Sequence, residues 1–236
     1  MKKNLTTSFV VFLIFSVFSC GKKAINTPPF TISKEFKTDS LTTLNVHIST
    51  RFKLKQLLSI ASKIKADSAQ ITNLEIHYLL PGNTDISAGD NSFYALAKLL
   101  KPSEVKATDT LKDDAENVYR IKLIGLNAEK AKKLFELKND ALIGKNIVGK
   151  FIDDYNHTVI IPFRDSLDKK SNLYVIELDS TSKIVSATVT LKVTQEGVDK
   201  YLVSQQGDYI TIKNQVLAQF AADGLGVPFN SIKAGY

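Results

Sequence analysis

From Asn139 to Gly144 onward the chain repeats one unit: a short alternating segment, a turn signal, then another segment about eight to twelve residues later. That rhythm demands antiparallel strands, because only tight turns fit between such closely spaced segments. Strands are predicted near 147–153, 157–163, 172–179, 184–194, 198–203, 208–213, 216–221 and 227–232. In the clearest of them Val185, Ala187, Val189, Leu191 and Val193 share one face. Ser186, Thr188, Thr190, Lys192 and Thr194 share the other, so one face is expected dry and the other wet. Asp223-Gly224 is a hairpin-type turn signal.

The preceding stretch mixes two periods. Leu44, Val46 and Ile48 alternate as a short strand. Leu54, Leu57, Leu58, Ala61 and Ile64 then recur at helical spacing, with Lys53, Lys55, Lys63 and Lys65 on the wet side. Leu74, Ile76, Tyr78 and Leu80 alternate again, and Pro81-Gly82-Asn83 stops that strand. Strand, helix, strand at this spacing predicts a βαβ unit with a right-handed crossover. A shorter helix is predicted from Ser92 to Leu100, ending at Pro102, and then a mobile loop over 103–116. Val118–Ile124 follows as a strand, and Asn127 as the N-cap of a helix carrying Ala131, Leu134 and Phe135. The fold class is therefore α+β, with an α+β domain at 41–140 and an antiparallel β-barrel-like domain at 141–236.

The start of the chain reads as an export signal. Lys2 and Lys3 precede a ten-residue apolar run, Phe9 to Phe18, too short for roughly 30 Å of hydrocarbon. Val17-Phe18-Ser19-Cys20-Gly21 resembles the bacterial lipobox, although Phe18 is bulkier than the usual residue there. The resemblance implies a signal peptide at 1–19, cleavage before Cys20 and acylation of Cys20, which makes membrane lipid the first expected partner. Several acyl chains hold stably at roughly 0.8 kcal/mol per buried CH₂. Gly21 after the cysteine resembles outer-membrane sorting, and residues 20–40, polar with a Pro-Pro pair, read as anchor and tether. Cys20 is the only cysteine of the 236 residues, which excludes a disulfide framework and a cysteine-ligated metal in the folded part. The formal charge of +7 is scattered, two of the 31 basic residues lie in the leader, and no aromatics interleave with the rest. A nucleic-acid partner is therefore not expected.

The segments LNVHIST, LLSIASKIKA, LEIHYLLPG, YRIKLIGL, NIVGKFIDD and GDYITIKNQVLAQFAADGLG, in that order, resemble a family of uncharacterised Gram-negative bacterial lipoproteins. Tyr78-Leu79-Leu80-Pro81-Gly82, Gly149-Lys150-Phe151-Ile152-Asp153-Asp154 and Asp223-Gly224-Leu225 stand at the matching places, over roughly residues 44–232. Phe151 stands where the family has tryptophan, and a following aromatic pair is reduced to Tyr209. The resemblance implies the domain layout and brings no activity with it.

Each constellation that could carry chemistry has a plainer reading. Gly144 to Lys150 spells GxxxxGK, but Phe151 stands where a P-loop needs a hydroxyl, and a strand follows where a helix should. His47, His77 and Glu75 fall on the polar faces of neighbouring strands and would approach zinc-ligand geometry if in register; solvated histidines explain the pattern equally. His157 stands alone in a turn. Asp153 and Asp154, with Asp165 and Asp168 nearby, could do acid–base work, but adjacent strand residues face apart, so a turn with solvated acids is expected. No nucleophile-elbow pattern is present, and neither a catalytic residue, a cofactor nor a metal is assigned.

A barrel of about eight strands either fills with side chains or holds a small apolar ligand. Phe163, Tyr174, Ile176, Leu178, Val189, Leu191 and Phe220 are the expected lining, and the same residues would make an ordinary core. The sequence therefore reads as a non-enzymatic, membrane-anchored envelope lipoprotein, exported and acting as an interaction or binding module. The alternatives are a lipocalin-like carrier of a small hydrophobic ligand and a hydrolase or metal-dependent enzyme. A protein partner or a small hydrophobic ligand completes the expected contacts.

Overall fold

Two sheets and two helices account for the alternating and helical segments in a computed structural model that describes residues 26–81, 93–105, 110–168, 172–224 and 226–231. The leader, Cys20 and the Gly82-Asn83 turn lie outside the described residues. The first sheet holds β1 (Phe30–Lys37), β2 (Thr42–Ile48), β3 (Leu74–Leu79), β4 (Ala95–Leu99), β5 (Leu111–Lys112) and β6 (Val118–Leu123), in the order β1-β2-β3-β4-β6-β5. Helix α1 (Leu54–Asp67) connects β2 to its parallel neighbour β3, so the predicted βαβ unit is present. Its N-terminus is closed by the Gln56 side chain, which accepts from the Lys53 amide at 3.0 Å. Leu57, Ile60, Ala61 and Ile64 form its buried face, each large side chain worth about 1.5–3 kcal/mol on burial. They meet Val46, Leu74, Ile76 and Tyr78 from the sheet. The Tyr78 hydroxyl donates to the Leu57 carbonyl at 2.7 Å, tying sheet to helix, and burial raises its pKa far above the ordinary phenol value.

Three expectations fail here. Residues 95–99 form a strand and not a helix. Ala95, Ala97 and Leu99 face the core between β3 and β6, and that slot overrides the helical propensity of alanine and leucine. The expected tether at 20–40 contains β1, paired antiparallel with β2 from Phe30↔Ile48 to Lys37↔Thr42. A register shift between Ile32 and Lys34 and a nearly wholly exposed surface conceal that strand from a period-2 reading. The expected loop at 103–116 likewise includes β5, which pairs with β6.

The second sheet comprises β7 (Asn146–Ile147), β8 (Phe151–Asp153), β9 (Thr158–Arg164), β10 (Tyr174–Leu178), β11 (Ile184–Val189), β12 (Leu191–Gln195), β13 (Val198–Leu202), β14 (Tyr209–Lys213), β15 (Val216–Phe220) and β16 (Gly226–Ser231). The order is β11-β10-β9-β8-β16-β15-β14-β13-β12, all antiparallel, with β7 beside β9. The molecule is thus α+β with an antiparallel meander, as the turn rhythm demanded. The two ends of the ladder, β11 and β12, are consecutive in the chain and separated only by Thr190. The strand expected at 184–194 is therefore kinked: its first half pairs with β10 and its second with β13, which curls the sheet round on itself. Thr190 marks the kink, its amide and hydroxyl both donating to the Leu173 carbonyl, at 2.9 and 2.8 Å.

Helix α2 (Ala128–Glu136) starts at Asn127, whose side chain accepts from the Lys130 amide at 2.9 Å as expected of an N-cap. It packs on the second sheet: Ala131 and Leu134 join Ile152, Val159, Ile161, Ile176 and Leu178 in one cluster. The expected domain boundary near residue 140 thus falls within a packed layer, since α2 and β8–β9 share that core.

Candidate functional site

Alternation along β8 to β10 splits the second sheet into two apolar layers. Ile152, Val159, Ile161, Phe163, Ile176 and Leu178 belong to the face covered by α2. Phe151 and Ile160 point the other way and join Leu173, Tyr201, Ile210 and Leu217, drawn from both ends of the ladder. That second face is the inside of the curled sheet. It encloses an open cleft of about 390 Å³, at the lower end of the roughly 300–1,000 Å³ range of ligand pockets.

The cleft wall is half polar. Ile160, Val175, Val203, Ile210 and Leu217 line it together with Glu177, Ser186, Thr188, Ser204, Asp208 and Gln219. The register explains the rows: Ile160 lies opposite Glu177, and Glu177 opposite Ser186. Across the cleft Ile210 pairs with Gln219. Glu177 accepts a hydrogen bond from the Thr158 hydroxyl. Asp208 accepts from the Ser204 hydroxyl at 2.9 Å and from the Ala222 amide at 3.1 Å. At the edge of this layer Arg164 donates to the Tyr201 hydroxyl at 3.2 Å.

The residues expected to line a container do not line this one. Phe163, Ile176 and Leu178 lie in the α2 layer, with Tyr174 packed against them and stacked on Phe163 at 5.5 Å. Val189 and Leu191 are 59% and 61% exposed on the outer surface. Phe220 stacks on Tyr209 at 4.8 Å, on the face opposite Ile210 and Gln219. The dry and wet faces of the kinked strand are inverted relative to expectation: Ser186 and Thr188 face the cleft, while Val185, Val189, Leu191 and Val193 form an exposed apolar stripe. The reason is α2. It takes the more apolar face of β8–β10 as its partner and leaves the more polar face to become the interior.

The paired acids are held by the protein and largely withdrawn from solvent. Asp153 is buried and accepts from the Tyr155 and Asn156 amides at 2.9 and 3.0 Å and from the Asn156 side chain at 2.7 Å, shaping the β8–β9 turn. Asp154 receives two bonds from the guanidinium of Arg51, at 2.7 and 3.0 Å, and one from the Leu126 amide at 2.8 Å. Arg51 also donates to the Leu126 carbonyl at 2.8 Å. This fork joins the segment between β2 and α1 to the start of β9's hairpin, so the pair ties the two sheets together. Arg51 lies 5.8 Å from the Tyr94 ring. Burial raises the Tyr94 phenol to about 12, with Arg51 opposing and Asp154 reinforcing the shift. Asp165 and Asp168 sit in the next loop, Asp165 paired with Lys145 and Asp168 accepting from the Tyr174 hydroxyl at 3.0 Å. Among these four acids, none faces another across a shared site.

His77 and Glu75 share a face and meet at 2.8 Å, and Phe93 stacks on the imidazole at 4.0 Å. His47 is opposite Leu79 on the parallel neighbour, one pair beyond Tyr78 and two beyond His77. Among the described residues no three His, Cys, Asp or Glu side chains are grouped to hold a metal. His157 has a positive φ of 57° in the β8–β9 turn and borders a small pocket of about 100 Å³ with Asp154. Gly144 forms a turn with φ of 72°, and Lys150 donates to the carbonyls of Phe135 and Leu137, where its charge complements the C-terminus of α2. The GxxxxGK run is thus a turn, the short strand β7 and a cap on α2.

Fold and cleft together define an α+β protein whose curled antiparallel sheet carries an open, half-polar pocket. No protein-family model, no curated protein and no solved structure matches the chain. Among the described residues no helix is long and apolar enough to cross a membrane.

Proposed function

We propose that this chain is an exported lipoprotein, anchored through lipid on Cys20, whose working part is a small-molecule binding module in the cleft of the second sheet. The observation that carries the reading is the inversion of the kinked strand. A sheet interior left to packing alone fills with apolar side chains, whereas this one keeps Glu177, Ser186, Thr188 and Asp208 around about 390 Å³ of open space. Among the described residues Ser186, Thr188 and Gln219 spend no side-chain hydrogen bond on the protein, so these groups remain available to a ligand. The half-polar wall favours a ligand with polar groups over the purely hydrophobic cargo of a lipocalin-like carrier. The module acts by binding and not by a reaction.

Native mass spectrometry of the chain purified from its host tests the cleft. A co-purifying small molecule that is lost from the Thr188→Phe variant supports the reading, and a bare mass for the unaltered chain refutes it. Metabolic labelling with palmitate tests the anchor: label incorporation that survives Cys20→Ala would refute lipidation at that residue.

A further inference from the structure

Among the described residues the cleft carboxylates, like Asp153 and Asp179, lack the basic partner that several acids of the same half have. Asp154, Asp165 and Asp199 are each neutralised by a basic side chain: Arg51, Lys145 and Lys192 respectively. Among the described residues Glu177 and Asp208 form no ion pair, in a chain whose formal charge is +7. Both are nevertheless held in place by neutral donors: Thr158 for Glu177, and Ser204 with the Ala222 amide for Asp208. Among the described residues no lysine, arginine or histidine lines the cleft. Orientation without neutralisation leaves two negative charges facing one small, partly desolvated space, where an opposite charge is worth more than in bulk water.

We propose that the cleft binds a small organic cation, an ammonium group carried on a short apolar body, with Glu177 and Asp208 as its counter-charges. This rests on the cleft being the binding site. The apolar body lies against Ile210 and Leu217, while Thr188 and Gln219 offer acceptors to the remaining ammonium protons. An anionic ligand is rejected, because it would bring a third negative charge into the same space.

Three probes of one shape separate the possibilities: cyclohexylammonium, cyclohexanol and cyclohexanecarboxylate, each titrated at pH 7 into the ¹⁵N-labelled full-length chain and followed by amide chemical shifts. The ammonium is expected to shift amides of β10, β11, β14 and β15 and to bind at least about tenfold more tightly than the alcohol, with no response to the carboxylate. Glu177→Gln should cost the ammonium about tenfold and leave the alcohol unchanged. Asp208→Asn should do the same, and the alcohol titration reports whether that variant keeps its cleft. Cleft shifts with alcohol as tight as ammonium overturn the cation preference and leave the binding site standing. Shifts outside the cleft, or none with any probe while the spectrum stays folded, overturn both.

Discussion

The Arg51–Asp154 fork is the most demanding test of how the two sheets are held together. The Arg51 side chain is 4% exposed and that of Asp154 17%. Replacing Asp154 with Leu leaves a guanidinium in the interior whose hydrogen-bond partner among the described residues is the Leu126 carbonyl. Two charge-assisted bonds at about 1.5–3 kcal/mol each are lost. Removal of one member of a buried pair costs about 3–5 kcal/mol, and the partial exposure of Asp154 places this change near 3 kcal/mol. Arg51→Met should cost less, about 2 kcal/mol, because the carboxylate keeps the Leu126 amide and some water. The double variant removes both charges together and should lose much less than the two singles combined, a coupling energy of about 2 kcal/mol. Equilibrium urea unfolding followed by circular dichroism, run as a double-mutant cycle, reads this directly. Raising salt should alter it little, since buried pairs are weakly screened. A coupling below about 0.5 kcal/mol would refute the argument, because it would make the fork equivalent to a solvent-exposed ion pair.

A β-carbon added at Gly125 would lie 3.0 Å from the Asp154 carboxyl carbon, and Arg51 keeps that carboxylate from moving away. Gly125→Ala should therefore cost about 1–3 kcal/mol by urea unfolding, and less when Arg51→Met is already present. The kinked strand should show opposite sensitivities at neighbouring positions. Thr190→Val removes a buried hydroxyl from Leu173 and should cost about 1 kcal/mol, whereas Leu191→Thr on the exposed stripe should stay within about 0.5 kcal/mol. In acid, hydrogen bonds from Lys145 to Asp165 and from Lys192 to Asp199 hold both carboxyls below their ordinary range. A folded pKa below the unfolded value near 3.9 adds stability that is complete above about pH 5 and lost as pH falls through the folded pKa. Asp165→Asn with Asp199→Asn should flatten the acid limb of a pH–stability curve; an unchanged limb would show that neither contributes.

Local structure is the part of the fold most legible in the sequence. Each of the eight strand segments anticipated after residue 144 corresponds to strand structure, one divided at Val148–Lys150 and one at Thr190. The Asn127 cap, the α1 stripe and the first βαβ unit also follow from spacing alone. The failures share a cause. The 95–99 segment has no strong period of its own and takes the geometry of the slot it fills. The β1 strand is interrupted by a register shift and so loses the alternation that would mark it. Arg51 is silent in the sequence, because its partners Leu126 and Asp154 lie 75 and 103 residues away. A lone arginine before a helix gives no signal of such a contact.

By itself, then, the amino-acid order determined where strands, turns and helices lie and that the second half would be an antiparallel meander, since those depend on side-chain alternation and turn chemistry within a few residues. Which face of each strand looks inward was decided only by tertiary structure. Alternation distinguishes two faces without saying which is the interior, and here α2 occupied the apolar one. The polar row of Ser186 and Thr188, with Glu177 beside it, was thereby turned into the wall of the cleft.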